Sequence, residues 1–323
     1  MAYIGISWKD IIRGRVPIFN IIVAIIILSI IIGFINPKFW TKENGEVLLR
    51  WFVGLGILAM GESMVLISGG LDLSVGSMAS ISSMVFAYCI AHLNLPLWLA
   101  ILATMGTAAL IGAYHGAFVC AFAPPFPQIM PAFMVTLASL IFLSGLATAM
   151  TEGWPIVLYG HEEVALISST YSLAIIFIVI LSLTIYIQRY SVIGRYMYAI
   201  GGNIEAARIS GVPLNKTRLF VYMYSAILAS ITGIIFTSML MTGYPGVGAG
   251  QELYAIASNA IGGVSLAGGE GIALGSVVGA FLMTLIRNGL VLMGVSPYWH
   301  DSVTGIILVI AVALDLYRRL KVR

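Results

Sequence analysis

The chain has 323 residues, of which 60% are hydrophobic and only 9% charged, with 16 Lys/Arg against 13 Asp/Glu and a formal charge of +3. Soluble domains carry about 25% charged residues, so this chain cannot wet the surface of a globular domain. Soluble, disordered and disulfide-rich secreted classes are excluded. At ~20 apolar residues per transmembrane helix, the composition predicts about ten spans in an all-α polytopic membrane protein.

The first apolar run, 16–35, follows Lys9, Arg13 and Arg15. Asn36-Pro37-Lys38 comes after it in place of a small-residue cleavage site, which predicts an uncleaved first span. Further runs fall at 47–68, 77–93, 97–123, 132–150, 170–188, 217–241, 251–266, 272–293 and 301–317. Those at 77–93 and 251–266 are short and rich in Gly, Ser or Ala, which predicts broken helices. Basic residues cluster at the N-terminus, in a central loop (Arg189, Arg195, Arg208, Lys216, Arg218) and at the C-terminus (Arg318, Arg319, Lys321, Arg323). The positive-inside rule places all three in the cytoplasm. Six runs before the central loop and four after it satisfy parity. The loop at 151–169, with Glu152, Glu162 and Glu163 but no Lys or Arg, then falls outside. The expectation is one transmembrane domain over 1–323, with half-repeats near 16–188 and 217–317 joined by a cytoplasmic loop at 190–216.

Two polar segments interrupt the Ile/Leu/Val background. Ser68-Gly69-Gly70-Leu71-Asp72-Leu73-Ser74-Val75-Gly76-Ser77 and Ile261-Gly262-Gly263-Val264-Ser265-Leu266-Ala267-Gly268-Gly269-Glu270-Gly271 align at one offset, Gly69 with Gly262 and Gly70 with Gly263. Repeated halves with Gly-interrupted spans point to a transport pathway, because irregular backbone at membrane depth needs protein or a water-filled cavity to satisfy it. Gly69, Gly70, Asp72, Ser74, Gly76, Gly262, Gly263 and Ser265 are therefore the pathway candidates. Against this stands close helix packing by the glycines. Asp72 has two compatible roles: a fixed polar group of the pathway, or a cap for a helix beginning near Ser74.

Other ionisable residues in or beside spans are Glu62, Glu252, Glu270, Arg287 and Asp301. His92, His115 and His300 are isolated, Cys89 and Cys120 lie in apolar stretches, and all read as packing residues. No ligand spacing for a metal occurs, no Gly-x-Ser-x-Gly elbow, and no Lys accompanies the Gly-rich stretches at 243–250 and 262–271 as a nucleotide loop requires. An enzyme is not expected, nor a nucleic-acid partner.

The central loop runs Gly194-Arg195-Tyr196-Met197-Tyr198-Ala199-Ile200-Gly201-Gly202-Asn203-Ile204-Glu205-Ala206-Ala207-Arg208-Ile209-Ser210-Gly211-Val212-Pro213. Asn203 is placed to cap a short helix through Ile209, Glu205 sits in its positive first turn, and Gly211 stops it before Pro213. Ala206 and Ala207 give that helix a shallow face suited to a groove on another protein.

This loop resembles the coupling loop of membrane subunits in ATP-binding-cassette importers, and the stretch 194–213 resembles the ribose/xylose/galactose-type permeases. Gly69 through Ser77, Pro131-Ala132-Phe133-Met134-Val135-Thr136-Leu137 and Glu252-Leu253-Tyr254-Ala255-Ile256-Ala257 through Gly269 are similar to that family's blocks in the same order. Ser144 before Gly145, the short loop at 151–169 and the prolines at 124, 125, 127 and 131 depart from it. The resemblance implies a type II importer-like permease in the cell (inner) membrane. It also implies a second permease copy or a sister permease, an extracytoplasmic sugar-binding protein, and a cytoplasmic tandem ATPase that holds ATP and Mg²⁺. No cofactor is then expected in this chain. Gly201, Asn203, Glu205, Ala206, Ala207, Arg208 and Gly211 would form the coupling loop, and the cargo would be a small sugar. Import of nucleosides or sugar-derived signals is the nearest alternative. An ion-coupled carrier relaying charge through Glu62, Asp72, Glu252 and Arg287 is a second.

Overall fold

The computed structural model describes residues 17–123, 129–307, 309, 310 and 313. Helices α1 (Pro17–Ile35), α2 (Lys42–Ile67), α3 (Val75–Ala91), α4 (Leu97–Phe122), α5 (Ile129–Ala149) and α6 (Glu162–Ala165) make the first part. They are followed by α7 (Thr170–Tyr190), α8 (Val192–Gly202), α9 (Ile204–Ile209), α10 (Leu214–Leu240), α11 (Gln251–Ile261) and α12 (Ala273–Leu292). Two-residue strands β1 (Ile156–Val157) and β2 (Thr242–Gly243) pair antiparallel, Ile156 opposite Gly243. Side-chain oxygens start several helices: Thr41 accepts from Asn44 N at 3.3 Å, Ser169 from Ser172 N at 3.2 Å and Ser191 from Gly194 N at 2.9 Å. Each satisfies a backbone donor that the first helical turn leaves free.

Helices α2 and α10 run through the middle of the bundle, whereas α1, α4 and α7 present Ile, Leu and aromatic side chains outward. Apolar attraction between helices is weak in lipid, so close backbone approach and hydroxyl bonds carry the contacts. Gly112 and Gly116 of α4 lie against the backbone at Tyr222, Met223 and Leu219 of α10. Thr232 donates to Gly54 O at 3.2 Å, Asn259 to Ala59 O at 3.0 Å, and the Ser83 and Thr237 hydroxyls lie 2.7 Å apart. His115, expected as a packing residue, is buried with Nε2 2.7 Å from Ser139 Oγ.

Among the described residues, seven helices are long and apolar enough to cross a membrane: α1, α2, α4, α5, α7, α10 and α12. The protein is an all-α multi-pass membrane protein. The difference from the expected ten lies in the runs read as broken. At 77–93 stands the 17-residue α3, almost wholly buried. The run at 251–266 is helical only through Ile261. Before it, β2 and a run of turns at 245–250 pass antiparallel to α3. Gly243 packs on Ala87, Tyr244 N donates to Ser83 Oγ at 3.2 Å, Gly248 N donates to Ser80 Oγ at 3.0 Å, and Gly248 meets Gly76. Of the run at 301–317, residues 301–307 are helical. The basic termini and prolines 124, 125 and 127 lie outside the described residues.

Candidate functional site

Both Gly-rich segments begin by ending a helix, and they do so identically. At the end of α2, Gly69 adopts φ +80°, Gly69 N donates to Leu66 O at 2.9 Å and Gly70 N to Val65 O at 3.0 Å. At the end of α11, Gly263 adopts φ +84°, Gly263 N donates to Ala260 O at 3.2 Å and Val264 N to Asn259 O at 2.9 Å. This is the glycine-closed helix terminus, in which a left-handed residue returns the last free carbonyls to the chain. The structural equivalents are therefore Gly69 and Gly263. The sequence alignment of Gly69 with Gly262 is one residue out of register, because it matched the glycine pairs and not the position that needs the left-handed conformation.

The end of α2 and the later part of the second segment meet at a third glycine. Gly269 N donates to Ile67 O at 2.9 Å, which ties the second segment to the end of α2. Gly201, near the end of α8, lies over this bond: a Cβ there would fall on Ile67 O and stand 2.5 Å from Gly269 N. A Cβ on Gly268 would stand 2.9 Å from Gly69 Cα and 3.0 Å from Gly201 O. Three backbones thus touch with no side chain between them.

Polar side chains from the same arm lock the joint. Gln188, in the last turn of α7, accepts from Ala273 N at 2.8 Å through Oε1 and donates to Ser63 Oγ at 3.3 Å through Nε2, spanning α12 and α2. Tyr198 donates its hydroxyl to Gly271 O at 2.7 Å. Burial pushes the Tyr198 phenol up to about 12, with the positive charge of Arg189 acting in the other direction.

The remaining pathway candidates are turn and packing residues in this conformation. Asp72 is 1% exposed. Its Oδ1 accepts from Ser74 N at 2.9 Å and Ser74 Oγ at 2.6 Å, its Oδ2 accepts from Ser225 Oγ at 3.4 Å, and its own N donates to Glu62 Oε1 at 3.2 Å. The helix does begin beside Ser74, which is its N-cap residue, and Asp72 shapes the turn leading into it. Gly76 lies against Gly248 and Glu252, and Gly262 against Gly275 of α12. Ser265 Oγ accepts from Ala267 N at 3.1 Å within its own turn. The four ionisable residues considered for a charge relay are not gathered: Glu62 and Asp72 share one bond, Glu252 faces Gly76, and Arg287 sits between Trp51 and Tyr254. Among the described residues no cluster of three or more His, Cys, Asp or Glu is placed to hold a metal.

The short capped helix takes the expected form. Asn203 Oδ1 accepts from Ala206 N at 2.9 Å, α9 ends at Ile209, and Gly211 at φ +78° turns the chain, with Val212 N donating to Ala207 O at 3.0 Å. Ala207 is buried beneath the helix, whereas Glu205, Ala206, Arg208 and Ile209 face outward, Ile209 being 79% exposed. Glu205 and Arg208 pair at 2.9 Å along that face. The sequence did not announce α8, the arm that carries Gly201 to the joint; its signal was Ser191, a helix-starting residue directly after α7. Gln188 and Tyr198 carried no motif.

A family model described as "Branched-chain amino acid transport system / permease component" matches residues 46–312. The chain is similar to the ribose import permease protein RbsC of Escherichia coli K12, with 34% identity covering 91% of this chain and 92% of that protein. RbsC of Bacillus subtilis is 34% identical over 90% of each chain. The xylose transport system permease protein XylH of E. coli is 30% identical over 93% of this chain and 92% of its own. No solved structure matches.

Proposed function

Because the chain belongs to this family of transport-system permease components, we propose that it is the transmembrane subunit of an ATP-binding-cassette importer carrying a pentose- or hexose-like sugar across the inner membrane. The observation that carries the mechanism is the joint at Gly201. The exposed helix α9 follows α8 directly, and α8 bears on the Gly-closed end of α2 and on Gly268 and Gly269 of the second Gly-rich segment at once.

In this reading the outward face of α9 seats on a cytoplasmic tandem ATPase, which holds the ATP and Mg²⁺. Movement of α9 passes through the rigid backbone contacts at Gly201 to the segments 68–77 and 261–271. Gly69, Gly70, Asp72, Ser74, Gly76, Gly262, Gly263 and Ser265 then form the inner end of the path, where backbone groups at helix breaks offer uncharged partners to sugar hydroxyls. A second copy of the chain, or a sister permease, completes the path, and an extracytoplasmic binding protein delivers the sugar. The full topology is ten crossings: the seven long helices, α3, the turns at 245–250 with α11, and the run at 301–317. Both termini and α9 are cytoplasmic in this reading, which the placement of basic residues supports.

Two measurements test this. The permease, reconstituted with a tandem ATPase and a sugar-binding protein from the same organism, is expected to hydrolyse ATP faster when loaded binding protein is present and to accumulate ribose or xylose. Single cysteines at 162 and 208 are expected to label from outside and inside, respectively. Labelling of position 162 from the cytoplasm alone overturns the topology. Uptake that persists without the ATPase overturns the importer in favour of an ion-coupled carrier.

A further inference from the structure

At the other end of α2 from the Gly201 joint lies a group that this function leaves without a task. Trp51 and Ile67 stand 16 residues apart on α2, roughly 24 Å at about 1.5 Å per residue. Beside Trp51, the Arg287 guanidinium carbon of α12 is 5.3 Å from the Trp51 ring and 5.5 Å from the Tyr254 ring. Two aromatic faces thus hold the cation by attraction to their electron-rich surfaces. Among the described residues, no carboxylate or carbonyl stands within hydrogen-bonding distance of Arg287. A guanidinium carries five N–H donors in a fixed fork, and a cationic side chain within a span points to function unless a partner accounts for it.

Arg287 lines a cavity of about 270 Å³ together with Trp51, Thr284, Asn288 and His300, the rest of the wall being apolar from Val47, Leu48, Val291 and Pro297. At about 30 Å³ per water in the liquid, that is room for roughly nine waters, enough for a small solute. The other polar groups are already oriented. Asn288 is fixed by exchange with Asn44, at 2.8 and 3.3 Å. Thr284 donates to Ala280 O at 2.8 Å, which leaves its oxygen free to accept. Asp301 accepts from the Tyr254 hydroxyl at 3.2 Å, so a carboxylate stands at the edge of the ring whose face holds Arg287. Donors from Arg287, an acceptor on Thr284, and the Trp51 ring with an otherwise apolar wall for C–H faces together suit a sugar, which presents both hydroxyls and C–H surface.

We propose that this cavity between α2 and α12 is a monosaccharide subsite, with Arg287 donating to sugar hydroxyl oxygens. It rests on the importer reading, which puts this end of the bundle on the outer face, where a sugar leaving its binding protein would enter. The test titrates purified full-length permease, without binding protein, with D-ribose, D-xylose and sodium acetate while reading tryptophan fluorescence. Either sugar is expected to give a weak, saturable change that is lost in Trp51→Phe, and Arg287→Met is expected to raise the half-saturation about tenfold. Arg287→Lys, which keeps the charge and is the control should the Met variant fail to fold, is expected to raise it less. Absence of saturation with both sugars overturns the subsite, as does saturation by acetate in their place. Uptake by the assembled importer is measured alongside. Uptake without sugar binding here refutes the subsite alone, and binding here without ATP-driven uptake refutes the importer reading alone.

Discussion

Replacing Gly201 with Ala adds one carbon at the point where three backbones touch. That Cβ would fall on Ile67 O and stand 2.5 Å from Gly269 N. Ordinary contact needs about 3.5–4.0 Å, so α8 must retreat by roughly 1 Å or more. No side chain is available to turn aside. Overpacking of this kind costs about 1–3 kcal/mol, and loosening the Gly269–Ile67 hydrogen bond adds about 0.5–1.5 kcal/mol. The expected destabilisation is therefore about 2–4 kcal/mol. The adjacent residue supplies the control. A Cβ on Gly202 meets nothing within 4 Å, and Gly to Ala in a helix is worth about 0.5–1 kcal/mol of added stability. Thermal melting of the purified permease should fall for Gly201→Ala and hold or rise for Gly202→Ala. In proteoliposomes with the ATPase and binding protein, Gly201→Ala should lose most sugar uptake while still copurifying with the ATPase. Wild-type melting and uptake for Gly201→Ala, or equal losses for the two variants, would refute the joint as the link between docking helix and helix breaks.

Gly211→Asp forces a side chain into φ +78° at the end of the docking helix, a strain of about 1–3 kcal/mol; pull-down of the ATPase should weaken while membrane insertion is retained. Tyr198→Phe leaves the Gly271 carbonyl without its donor and should lower stability by about 1–3 kcal/mol. Because burial raises the Tyr198 phenol from its ordinary 10.0 to about 12, the neutral form favours folding. That contribution is complete below pH 10 and disappears as pH rises through about 12, so the tyrosinate absorbance difference between wild type and Tyr198→Phe should emerge only near pH 12. Asp72→Asn keeps an acceptor for Ser74 and should lower uptake without changing which sugar is carried, whereas Asp72→Ala also removes the turn and should cost about 0.5–2 kcal/mol in melting experiments. Full uptake by Asp72→Ala would leave Asp72 a packing residue.

Helix positions and the short helix α9 were legible because their signals are local. Apolar runs set α1, α2, α4, α5, α7, α10 and α12 to within a few residues. Asn203 and Gly211 bounded α9 through hydrogen bonds that reach only a few residues. The packing of residues 242–250 on α3 was not legible, because a run of turns has no apolar period of its own. Its donors are satisfied by Ser80 and Ser83 on a distant helix, and such partners cannot be seen in a local window. The repeat was legible as glycine density but one residue out of register, since only dihedral angles separate the left-handed Gly69 and Gly263 from their glycine neighbours. The meeting of Gly69, Gly201 and Gly268 unites residues that no spacing connects.

The segment at 242–250 beside α3 also constrains how the protein is made. Ser80 and Ser83 find their backbone partners 168 and 161 residues later in the chain. At about 5–20 residues per second of synthesis, α3 spends roughly ten to thirty seconds in the membrane before Tyr244 and Gly248 exist. Until then its hydroxyls and the flat faces at Gly76 and Ala79 are open to whatever the insertion machinery or a neighbouring chain presents. The N-terminal half is therefore committed to a late partner, and truncation anywhere before residue 250 yields a product that the cell's quality control should read as unfinished, whatever the state of its other helices.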